Sequence, residues 1–298
     1  MPCLIPAQQL IGCENVQADG YGRMLMVPKF CRMAWRVDDM DDFTRRMGEL
    51  FGFTFFTPGL IAEVYPDATF KVGFGEHGIE PIQPGAEGLG FAEGDHLIEI
   101  AVDVADAESV RARLKAAGHE PIAISYLPVP AVDEYLFGRD FHGIQFLACT
   151  EGVNEAQIRS ELPFAALDDA KPPKVGCVTL VSEDIDALAA SLKQCYDMEF
   201  HPFNPAGFGR RGLSGTHRVR LIEGPSALLD GNESALVSVD IVHHDVEGAR
   251  ATLEAAGYPV RHRQQLASGG FAYFFGPTVQ GFPLSIYPES ADAEMLGL

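Results

Sequence analysis

The chain has 298 residues, long enough for two domains that each bury a core without disulfides or metals. Its 42 acidic against 22 basic side chains give a formal charge of −20, which excludes the clustered Lys and Arg on which binding to nucleic acid or an anionic membrane depends. No stretch approaches the roughly 20 continuous apolar residues of a membrane span, and Cys3, Cys13, Cys31, Cys149, Cys177 and Cys195 form no CxxC pair. With no basic flank and long apolar run at the N-terminus, the expectation is a cytoplasmic protein with reduced thiols and a small-molecule partner.

Residues 1–28 mix Gly, Pro and polar residues without sustained periodicity and read as an irregular N-terminal arm on a first domain of residues 29–150. A strand is predicted over 30–37, then an acidic turn, Asp38-Asp39-Met40-Asp41-Asp42, whose side chains can accept from the free N–H groups of a helix start. Phe43, Met47 and Leu50 recur at helical spacing over 41–50, and Gly52 ends the run. Extended segments follow at 53–57, 62–74 and 79–82, separated by Pro and Gly. A second unit has a strand at 97–104, a helix at 107–117 and strands at 121–125, 134–137 and 143–149. Periodicity fails over 151–173, where Pro163, Pro172 and Pro173 accompany Asp168-Asp169, so a linker is placed there. A second domain at 174–290 then repeats the plan twice, with helices at 185–196 and 246–256, before a C-terminal tail at 291–298.

The four units open alike: Arg32-Met-Ala-Trp-Arg-Val-Asp-Asp39, Glu99-Ile-Ala-Val-Asp-Val-Ala-Asp106, Cys177-Val-Thr-Leu-Val-Ser-Glu-Asp184 and Ser238-Val-Asp-Ile-Val-His-His-Asp245. Two helices also end alike, in Leu114-Lys-Ala-Ala-Gly118 and Leu253-Glu-Ala-Ala-Gly257. Self-similarity at a period of roughly fifty to seventy residues marks one supersecondary unit used repeatedly. Together with Ile79-Glu-Pro-Ile-Gln-Pro84 closing the first unit, these segments make the chain resemble the vicinal oxygen chelate superfamily, the group of glyoxalase I, bleomycin-resistance proteins and extradiol dioxygenases. The resemblance covers about residues 30–149 and 174–288. It implies an α+β fold in which four βαβββ modules pair into two cup-shaped domains, each cup able to hold a ligand.

Metal-dependent members of that superfamily carry His, Gln or Glu ligands on the first and last strands of each module. The corresponding first-strand positions here are Arg32, Glu99, Cys177 and Ser238, and the last-strand positions are Glu80, Leu147, Arg220 and Ser285. Only Glu80 and Glu99 are ordinary ligands, so the resemblance leaves no metal expected in domain two. In domain one three roles stand open. Glu80 and Glu99 hold a hard divalent ion, they act as general acid and base with Arg32 orienting an oxyanion, or Arg32 neutralises them in a structural network. Cys177 beside Arg220 is either a thiol activated by the cation or a buried, inert one.

Trp35, on the first strand with Arg32, and Phe271 and Tyr273, in the aromatic run Phe271-Ala-Tyr-Phe-Phe275, are candidates to line a pocket for a planar ligand, with Cys177, His217 and Arg220 as further substrate-binding candidates. The Gly207-Phe-Gly-Arg-Arg-Gly212 stretch does not match a phosphate-loop spacing. The resulting expectation is an enzyme acting on a small aromatic or carbonyl-containing compound through the acidic residues of the domain-one cup. The alternative is a non-catalytic binder that sequesters its ligand, as in the bleomycin-resistance branch. A homo-oligomer is compatible with either.

Overall fold

The computed structural model describes residues 16–18, 24–26, 30–57, 69–75, 78–85, 96–127, 131–153, 172–205, 209–224 and 236–296, with positions 59, 61, 67, 156 and 160 between them. Most of the expected arm and linker, and much of the strand expected at 62–74, lie outside these residues.

A small antiparallel hairpin, β1 (Val16–Ala18) with β2 (Met24–Met26), falls within the segment read as irregular. The first module then runs through β3 (Phe30–Arg36), α1 (Met40–Phe51), β4 (Phe55–Phe56), β5 (Lys71–Val72), β6 (Phe74–Gly75) and β7 (Ile79–Gln83). The second has β8 (Leu97–Val104), α2 (Ala107–Ala116), β9 (Pro121–Leu127), β10 (Val132–Phe137) and β11 (Phe146–Thr150). The third comprises β12 (Lys174–Ser182), α3 (Ile185–Tyr196), β13 (Phe200–Phe203), β14 (Gly212–Gly215) and β15 (Val219–Glu223). The fourth comprises β16 (Leu236–His243), α4 (Val246–Ala255), β17 (Val260–Gln265), β18 (Phe271–Phe275) and β19 (Leu284–Pro288).

The acidic turns do what their chemistry predicts. Asp39, Asp106, Asp184 and Asp245 each cap a helix, accepting from the backbone N–H of Asp42, Glu108, Ala187 and Gly248. Gly52 ends α1 at φ 72°, a left-handed conformation that glycine adopts without cost. Each module's first strand pairs antiparallel with its partner's and parallel with its own last strand, which gives the orders β5-β7-β3-β8-β11-β10-β9 and β13-β14-β15-β12-β16-β19-β18-β17.

Alternation on these strands sends apolar residues to both faces. On one face, Met33, Trp35, Ile100, Val102, Val178, Leu180, Val239 and Ile241 join residues of all four helices in one continuous core. Both sheets therefore pack on a shared helical layer, with α1 against α4 and α2 against α3, and their other faces form two separate cup floors. Two hairpin tips lock the halves together. Gln280, at φ 47°, accepts from the Trp35 indole and the N–H groups of Asp38 and Asp39, while Phe282 packs on Trp35 and Phe43. Reciprocally, His142, at φ 54°, meets the Ser191 hydroxyl at 2.8 Å, and Phe141 packs on Tyr196.

The residues from 289 onward, expected as a tail from 291, instead form a 3₁₀ turn (Glu289–Ala291) and a short helix α5 (Asp292–Met295) lying on the domain-two floor. Among the described residues no helix is long and apolar enough to cross a membrane.

Candidate functional site

Register brings the domain-one candidates together. Ala34 on β3 sits opposite Glu80 on β7 and Glu99 on β8, and Arg32, two residues back on the same face, reaches both. Its Nε lies 2.7 Å from Glu80 and 3.8 Å from Glu99, while Nη2 donates to Glu134 at 3.0 Å. All four side chains are buried. Burial pushes the Glu99 carboxyl up to about 8, outweighing the pull of Arg32, and the charges of Glu80 and Glu134 push it further. Glu80 is raised as well, again chiefly by burial, with Arg32 opposing. Among the described residues one guanidinium thus faces three carboxyl groups, and burial favours the protonated form of Glu99.

Glu134 is not legible in the sequence because its strand, β10, has no fixed register in the repeat. The available signal is the acidic pair Asp133-Glu134 ahead of the apolar run Tyr135-Leu-Phe137. Gln145 is hidden for a different reason, standing two residues before Leu147 and so outside the family's ligand positions. It precedes β11, and its carbonyl accepts from Ile100 N–H at 3.0 Å.

The domain-two floor has the same positions and a different outcome. Arg220 on β15 stands opposite Thr179, donates to its hydroxyl from Nε and Nη2 at 3.1 and 2.8 Å, and pairs with Asp240 on β16. Asp240 in turn bonds Ser285. Cation and carboxylate balance one to one, both fully buried. Asp240, two residues beyond Ser238 on the same strand face, is a partner that the family's ligand positions do not reveal. Helix α5 closes this floor. The Met295 carbonyl accepts from Ser214 at 3.1 Å and lies 3.9 Å from Cys177 Sγ, its sulfur accepts from Arg220, and Asp292 pairs with Arg218. An open pocket of about 500 Å³ remains beside it, between Phe203, Asn204, Gln264 and Glu294.

Four substrate-binding candidates are corrected. Trp35 and Tyr273 belong to the core on the helical layer, where Tyr273 donates to Glu247, and Phe271 packs at the edge of that core under Arg263. Alternation, which the aromatic run Phe271–Phe275 obeys, sends these rings away from the cup. His217 is buried in the β14–β15 turn near the Asp103 backbone of domain one, and burial lowers it to about 4. Cys177 and Arg220 do lie on the domain-two floor, but under α5. Burial pushes the Cys177 thiol up to about 12, so it is an inert neutral group.

A divalent metal at Glu80 and Glu99 does not fit this arrangement. The permanently charged Arg32 guanidinium fills the space between the carboxylates, and the fourth position is Leu147. No set of three or more His, Cys, Asp or Glu residues among those described is arranged to hold an ion. In domain two, Arg220 and a neutral Cys177 fit no better.

These two sheets, built from four modules on a shared helical layer, define a tandem vicinal oxygen chelate fold. No protein-family model matches the sequence, and no curated protein does. The chain is similar to solved structures over 88% of its length: the Mn(II)-bound glyoxalase from Novosphingobium aromaticivorans (17% identity, 82% of that chain, TM-score 0.59) and a mutant 4-hydroxymandelate synthase from Streptomyces coelicolor (13%, 92%, 0.59). A catechol 2,3-dioxygenase matches over the same share (12% identity, 88% of that chain, TM-score 0.60). At these identities the likeness carries the fold and not the chemistry.

Proposed function

We propose that the domain-one cup binds a small aromatic or carbonyl-bearing compound and moves a proton on it without a metal. The observation that carries this reading is the charge imbalance among the described residues of the floor, three carboxyl groups to one guanidinium, beside a domain-two floor whose described residues balance one to one. A purely structural network needs only the second arrangement. In this reading Glu80 takes a proton from the carbon beside a carbonyl, the protonated Glu99 delivers one to the carbonyl oxygen, and Arg32 stabilises the charge passing between them. A carboxyl whose affinity for protons is raised is both the better base and an acid still loaded near neutrality.

The test is deuterium incorporation from D₂O into a panel of aryl alkyl ketones and arylacetaldehydes, followed by proton NMR. The wild-type protein is expected to catalyse exchange at the α-carbon, and Glu80→Gln and Glu99→Gln each to slow it by about a hundredfold. Exchange unchanged in both folded variants would sink the reading. Tight binding of a compound recovered without exchange would point to sequestration instead.

A further inference from the structure

The floor of domain one does not spread its negative charge evenly. Glu80 and Glu134 hold Arg32 at 2.7 and 3.0 Å, whereas Glu99 stands back at 3.8 Å and its side chain retains 11% exposure. Among the described residues Glu99 is thus the carboxyl that Arg32 neutralises least. A buried carboxyl without a cation of its own keeps its proton, and a cation arriving beside it takes the place of that proton; among the described residues of the domain-two floor no carboxyl is left over.

A second observation is independent of the charges. Gln145 is 3% exposed, and neither its amide oxygen nor its amide nitrogen has a hydrogen-bond partner among the described residues. Buried amides are almost always satisfied, so one open at both ends marks a place built to receive polar atoms. Ile144 and Phe146 on either side of it both enter the core on the helical layer, so the Gln145 side chain turns to the cup. There it lies beside Glu99, one strand over, since Phe146 is in register with Ile100. Apolar cover on the same floor comes from Phe70 and Phe74, the Phe74 ring being 5.8 Å from the Arg32 guanidinium carbon.

We infer that this floor receives the ammonium group of a small arylalkyl amine, held between the Glu99 carboxylate and the Gln145 amide oxygen. The Gln145 NH₂ is then free to donate to an oxygen of the same ligand, and the ring rests against the phenylalanine side of the cup. An anionic ligand is turned away, because Arg32, the cation among the described residues of this floor, is already committed to Glu80 and Glu134. This inference names the ligand class for the cup proposed above and rests on that cup being the ligand site.

Calorimetric titration of the full-length protein with benzylamine, benzyl alcohol and benzoate separates charge from ring recognition. Benzylamine is expected to bind about tenfold or more tighter than benzyl alcohol, and benzoate weakest, as charge complementarity at a partly desolvated site requires. Glu99→Gln is expected to abolish the preference for the amine. Gln145→Met, which keeps the volume and loses the acceptor, is expected to weaken amine binding several-fold while leaving the alcohol unchanged. Equal binding of amine and alcohol would overturn the cation assignment and leave the cup as a ligand site. Preference for benzoate, or no binding of any of the three, would overturn it as well, and the deuterium-exchange assay then decides the fate of the cup on its own.

Discussion

Removing residues 289–298 is expected to lower the stability of the protein by about 4–8 kcal/mol and to make Cys177 reactive. The removed segment buries Ala291, Met295 and Leu296 on the domain-two floor. Deleting large apolar side chains from such a site costs about 2–5 kcal/mol each, and the contributions are not fully additive. It also takes Asp292 from Arg218, and it uncovers Ser214, Arg220 and Cys177. Denaturant melts give the stability change, and a thiol reagent under native conditions gives the exposure. In the intact chain Cys177 is fully buried and ionises only near pH 12, so it should stay unlabelled for hours. If the shortened chain fails to fold, Met295→Ala is the milder form, with an expected cost of about 2–4 kcal/mol and faster labelling. A truncated protein as stable as the parent, or with Cys177 still protected, would show that α5 merely rests on the floor.

Glu99→Gln is expected to change stability and function in opposite directions. The folded carboxyl ionises near 8, above the 4.5 of an ordinary glutamate, so its contribution is fully present below pH 4.5 and is lost as pH rises through 8. The loss at pH 9 is on the order of 2–5 kcal/mol, since each tenfold gain in proton affinity on folding is worth about 1.4 kcal/mol. Glu80, raised in the same sense, adds to the slope. Glutamine keeps the neutral shape and cannot ionise. The variant should therefore match the parent near pH 5 and exceed it in stability at pH 9, while losing exchange activity. Parallel urea melts at the two pH values measure the difference, in which the surface carboxylates cancel. An equal pH slope for the two proteins would mean that Glu99 already sits charged and satisfied in the parent.

What the sequence discloses and what it withholds follow from range. The capping aspartates, the helix-ending glycine and the helical periodicity are local, so the four helices can be read within about a residue, and the strand bounds less closely. Arg32, Glu80 and Glu99 fall on one floor because the repeat fixes the register of each module's first and last strands. The inner strand β10 carries no such register, which hides Glu134, and Gln145 falls just ahead of the last strand, outside the family's ligand positions. The faces of Trp35, Phe271 and Tyr273 depend on which side of the sheet the helices cover, a long-range matter that alternation alone leaves undecided. The burial of Met295 depends on contacts with residues 75 to 118 positions away, Arg220, Ser214 and Cys177, and nothing in the last ten residues announces it.

The crossed hairpin tips bear on how such a chain can drift over time. Gln280 and Phe282 complete the start of α1, while Phe141 and His142 complete α3, so each half finishes the other's architecture. A gene split between the second and third modules would yield two polypeptides, each bearing an apolar plug without a socket and a socket without a plug. Residues far from either floor are thereby tied together, whereas the floors, facing away from one another, are released to diverge. One holds a neutral, self-closed pair and the other an acidic cluster, with the helical layer between them.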